Sequence, residues 1–161
     1  MRLLIVPALL LLVGCSPYIN IPQQPGDVAT HSPNDGTVIG VMSASLAKVL
    51  DQRPKPTDYV IVLPQRASKA TYQEVLKDLP AGGARHAEGA GGLPIYSVAA
   101  VYVRGPRAQV EVIRPTPGGE PQLVSVYLEL GIDGWYARRL RPWSISIQEA
   151  MRQSYPGREI E

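Results

Sequence analysis

The chain has 161 residues and a formal net charge of +2, a balance too even to point to nucleic acid. Its apolar content of 45% is that of a globular domain. Glycine and proline make up about a fifth of it, above the ~12% of average chains and below the ~25–30% of low-complexity ones. The single cysteine excludes an internal disulfide framework and leaves no thiolate set for a metal.

Met1-Arg2 supplies one positive charge, and residues 3–13 form an uncharged apolar run. This is the order of a secretory signal, and the run is too short to span a bilayer, which takes about 20 helical residues. It ends Leu12-Val13-Gly14-Cys15. All four positions resemble the lipobox of bacterial lipoproteins. The resemblance implies acylation of the Cys15 thiol, cleavage before Cys15, and attachment to a membrane of the cell envelope. Ser16, in place of Asp, resembles the pattern that sorts Gram-negative lipoproteins to the outer membrane, facing the periplasm. One acyl chain holds a protein marginally and two or more hold it firmly.

Residues 1–14 are therefore expected to be a signal peptide and 15–36 a tether. Pro17, Pro22, Pro25 and Pro33 interrupt a segment with no apolar period. A single α+β domain is expected over 37–155, with 156–161 as a tail. Val38, Val41, Met42, Leu46, Val49 and Leu50 recur at helical spacing, which predicts a helix over about 37–51, with Asp35 or Thr37 as cap and Pro54 as stop. Residues 58–64 read as a short strand buried on both faces. Ser68 begins a second helix, whose stripe is Tyr72, Val75, Leu76 and Leu79. Gly82, Gly83, Gly89, Gly91 and Gly92 suggest a flexible surface loop over 80–94.

From Ile95 the apolar period becomes two. Strands are expected over about 95–103, 108–113, 124–130 and 135–143, with turns at Arg104-Gly105-Pro106, at residues 115–119 and at Asp133-Gly134. The register of the last strand depends on whether its loop has two or three residues. Residues 147–154 can form a short terminal helix. The predicted architecture is an antiparallel meander of four to five strands, covered on one face by two helices. The order helix, strand, helix, meander, with Trp135 after the last hairpin, resembles the cystatin-like or nuclear-transport-factor-like cone. That fold hosts enzymes and non-enzymes alike.

Few residues suggest chemistry. His86-Ala87-Glu88 has the spacing of zinc deaminases but lacks their Pro-Cys-x-x-Cys partner. His31 lies in the expected tether. There is no Gly-x-Ser-x-Gly elbow and no phosphate loop. Glu111 and Glu129 alternate with apolar neighbours and read as solvent-facing rather than as a catalytic pair. No catalytic residue, metal or cofactor is assigned. The last strand alone concentrates function-bearing residue types. Trp135, Arg138, Arg139 and Arg141 form a possible strip for an anionic partner, with Tyr136 and Trp143 beside them. The plainer alternative, which residue types alone favour, packs the aromatics in the core and lays the arginine stems along the sheet edge. The expectation is a non-enzymatic binding or structural lipoprotein. Its partners are the membrane, through Cys15, and an envelope protein or anionic polymer. The alternative is a cone-shaped domain that binds a small ligand or acts on one.

Overall fold

A computed structural model of the chain describes residues 18–23, 31–85 and 92–154. Cys15 and His86 lie outside them, as do 155–161. The fold is α+β, built on an open mixed sheet. In chain order the elements are β1 (Tyr18–Ile21), α1 (Gly36–Leu50), β2 (Tyr59–Val62), α2 (Lys69–Lys77), β3 (Gly83–Arg85), β4 (Ile95–Arg104), β5 (Arg107–Pro115), β6 (Pro121–Gly131), β7 (Gly134–Pro142) and α3 (Ile147–Ser154).

The helices follow the sequence closely. Asp35 caps α1, its carboxylate accepting from Thr37 N at 2.8 Å. Val38, Val41, Met42 and Leu46 are fully buried along its inner face. Ser68 caps α2 by accepting from Thr71 N, and Tyr72, Val75 and Leu79 are buried while Leu76 is partly covered.

The sheet departs from the expected antiparallel meander in three ways. β4 to β7 are antiparallel neighbours as predicted, but β2 pairs parallel with both β3 and β4. Parallel pairing needs a crossover, and α2 supplies it between β2 and β3. The expected glycine loop contains β3. Gly83 is required there by packing, since an added Cβ would lie 2.8 Å from the Tyr59 ring. The Tyr59 hydroxyl donates to Pro80 O at 2.5 Å and closes the same corner.

The third departure is at the tether. Tyr18–Ile21 is a sheet strand, paired antiparallel with the second half of β4 from Tyr18↔Arg104 to Ile21↔Val101. Ile19 and Ile21 enter the main core. β2 pairs with the first half of β4, so β1 and β2 share one edge of that strand. Asn34 is also fixed, because its side-chain oxygen accepts from Ser68 N at 2.8 Å and from the Thr71 hydroxyl at 2.5 Å. Two pieces of the predicted tether thus belong to the domain.

The main core lies between α1 and the sheet face formed by Ile19, Tyr59, Ile61, Val98, Val101, Val110, Val112, Val124, Val126 and Leu128. The opposite face, expected to be bare, carries a third helix. α3 packs Ala150, with Ile147 and Met151, on Leu123 and Trp143. The sheet therefore has helices on both faces.

Candidate functional site on the edge strand

β7 is the last strand of the sheet, and its register follows from a two-residue loop, Ile132-Asp133, between Gly131 and Gly134. Leu130 then faces Trp135, Glu129 faces Tyr136, and Leu128 faces Ala137. Here the ladder shifts. Tyr127 pairs with Arg139, which leaves Arg138 as one extra residue.

That bulge decides where the arginines go. Strict alternation would send Arg138 and Arg139 to opposite faces. With the extra residue, Arg138 reaches back to Glu129, its Nε donating to Oε2 at 2.8 Å. Arg139 and Arg141 stand opposite Tyr127 and Ser125 on the face away from α1. The Arg139 guanidinium lies 4.4 Å from the Tyr127 ring centre, and that of Arg141 lies 3.9 Å from the Trp143 ring. Both are exposed, and neither forms an ion pair among the described residues. Glu129 is held below the usual carboxylate range, first by the hydrogen bond from Arg138, and Arg138 is raised in return.

Trp135 does not join this strip. It is half-buried on the α1 side, where Gly40 admits it: a Cβ at Gly40 would sit 3.3 Å from the indole Cδ1. Ala137 and Leu140 pack on that side too. The partners the sequence reading missed are Tyr127 and Glu129. Their alternation with buried Val126 and Leu128 places them on the outer face, but only the bulge sets them beside particular arginines.

Glu111 and Glu129 are not brought together, since Glu111 pairs with Ser125 and Glu129 with Arg107. Nor does Glu111 face solvent: it is fully buried beneath α3. Gln109 Nε2 donates to its Oε1 at 2.6 Å and to Ser154 O of α3 at 2.6 Å. Ser125 Oγ donates to Oε2 at 2.8 Å and accepts from Trp143 Nε1 at 2.8 Å. Burial pushes the carboxyl above its usual value, and the hydrogen bonds from Gln109 and Ser125 offset this in part. Shut off from ligands, this group ties α3 to the sheet.

A second candidate lies at the far end of the sheet. A cleft of about 290 Å³ runs between the loop after α1, with Arg53 and Lys55, and the end of β5, with Arg114. Tyr96 lines it and is 8% exposed. Burial raises its hydroxyl, while nearby Arg114 lowers it. Among the described residues no three His, Cys, Asp or Glu side chains gather to hold a metal, and no helix is long and apolar enough to cross a membrane. No family model, no curated protein and no solved structure matches the chain.

Proposed function

We propose that this chain is an envelope lipoprotein, acylated at Cys15 and facing the periplasm, whose domain binds an anionic envelope polymer along β7. The observation that carries the reading is the pair Arg139 and Arg141. Each guanidinium is exposed, held over an aromatic ring, and outside the ion pairs formed among the described residues. Stacking fixes the guanidinium plane and leaves its N–H edges for oxyanions. Arg138, occupied by Glu129, contributes less. A binding role without catalysis suits this surface, because the strip offers charge and planarity but no general base. The test is co-sedimentation of the purified protein with isolated sacculi at low and at physiological salt. The wild type should pellet at low salt and the R139E/R141E variant should stay soluble. Equal pelleting of the two proteins would discard the strip.

Acylation is tested separately. Mass spectrometry of the membrane-extracted protein should show an N-terminal peptide beginning at acylated Cys15, and C15S should leave the membrane fraction. An unacylated soluble mature form in the native host would refute it.

One observation favours a second reading, a small-ligand site. Tyr96 lines a cleft together with three cationic side chains, Arg53, Lys55 and Arg114. A small carboxylate or phosphate ester suits that set. Calorimetric titration with inorganic phosphate, repeated on Y96F and R114A, distinguishes a site from an inert crevice.

A further inference from the structure

The end of the sheet where β1 begins is unlike the rest of the surface. Tyr18, Arg104, Arg107, Glu129 and Tyr136 form one continuous row across β1, β4, β5, β6 and β7. Just beyond it lie the two hairpin turns, joined by the bond from Leu130 N to Pro106 O at 2.8 Å. Of seven large apolar or aromatic side chains exposed among the described residues, four are here: Tyr18 (57%), Leu130 (50%), Tyr136 (44%) and Ile132, which is fully exposed at the turn tip. Arg104 lies 3.8 Å over the Tyr18 ring and also donates to Ile19 O and to Asn20 Oδ1. Arg107 stands in the row opposite Glu129, and Arg138 beside it is paired with Glu129.

Because Tyr18 pairs with Arg104, the last residue of β4, β1 begins at this end of the sheet. Only Ser16 and Pro17 separate Tyr18 from Cys15. Three residues span at most about 11 Å when extended. An acyl anchor on Cys15 therefore brings this end of the sheet, and no other, down to the bilayer.

We infer that the hairpin end is a membrane-docking surface, seated in the headgroup layer of the bilayer that holds the Cys15 acyl chains. The inference rests on the proposed acylation. The chemistry of the end suits that environment: tyrosines sit at the membrane–water boundary, arginines meet anionic headgroups, and the Ile132 tip enters the acyl boundary. The outer face of β7 then rises from the membrane, with Arg141 farther from it than Arg139. The Tyr96 cleft points away.

The acylated full-length protein is placed in phosphatidylglycerol–phosphatidylcholine vesicles. An environment-sensitive dye is attached in I132C or, as the distal control, in G118C on the exposed β5–β6 turn. Acylation consumes the Cys15 thiol, so each label is unique. Flotation reads the anchor, and quenching by aqueous iodide reads the orientation. The protein should float, and quenching at position 132 should be about tenfold weaker than at 118, the ratio that ~1.4 kcal/mol of preference for the interface produces. The double variant R107E/Y136S should bring the two positions closer. Flotation with equal quenching at both positions overturns the docking and leaves the anchor standing. Failure to float overturns the anchor, and the docking with it. Shielding at 132 that grows with protein density on the vesicle assigns the end to a second copy and also overturns the proposal.

Discussion

Replacing Glu111 tests the packing of the sheet's outer face. In E111Q the carboxamide keeps both contacts, accepting from Gln109 and donating to Ser125, and removes the titrating proton. In E111A one methylene and the head group are lost, the methylene at ~0.8 kcal/mol, and a Gln109 amide N–H that E111Q still satisfies loses its acceptor, at about 1–3 kcal/mol. The alanine variant should therefore be less stable than the glutamine variant by roughly 2–4 kcal/mol. The pH dependence has a definite sign. Burial raises the folded-state carboxyl above its unfolded value, so the folded chain binds the proton more tightly. The associated stability is fully present below the unfolded value, about 4.3, and is lost as pH rises through the raised value. Urea unfolding of wild type and E111Q should give similar free energies near pH 4–5 and a growing advantage for E111Q toward pH 8. Groups elsewhere titrate alike in both proteins and cancel in the difference. Parallel pH profiles, or an alanine variant within about 1 kcal/mol of the glutamine one, would show that the carboxyl is hydrated and that α3 does not seal it.

The other expectations can be checked with the same material. R139E/R141E should weaken sacculus binding by about tenfold at low salt and less at high salt, since exposed charges are screened within ~10 Å at 0.1 M; a loss unchanged by salt would indicate damage to the fold. L46A should cost about 2–5 kcal/mol by chemical unfolding, because Leu46 is fully buried between α1 and the sheet; a loss below ~0.5 kcal/mol would mean that α1 does not cover that face. H86A should bind sacculi as wild type does, and a loss of capture would move the search to the 86–91 segment.

Much of the fold can be read along the chain wherever it is local. Helical spacing and caps place α1 and α2 to within a residue or two, because Asp35 and Ser68 stop the frame as strongly as the apolar stripe fills it. The four meander strands follow from alternation and turn residues. What eludes the sequence is set by distant partners. β1 has four residues, too few for a period, and its register comes from β4 more than 80 residues away. Gly83 reads as flexibility until the Tyr59 ring is placed against it. Alternation puts Glu111 opposite the main core, but it does not say that another helix covers that side. The candidate site shows the same division. Arg138, Arg139 and Arg141 stand out in the sequence, whereas the bulge that separates them from Trp135, and their partners Glu129 and Tyr127, come from the register of a neighbouring strand.

The seating of β1 on β4 also has a mechanical side. With the anchor proposed at Cys15, tension between membrane and domain enters the fold through Tyr18 and runs along the β1 axis. The rungs of an antiparallel pair lie perpendicular to that axis, so the four residue pairs from Tyr18↔Arg104 to Ile21↔Val101 are loaded together in shear rather than unzipped one at a time. Ile19 and Ile21, set in the core, resist the same slip. A short leash attached in this way would transmit a pull from a large envelope polymer into the bilayer without first unravelling the domain that holds it.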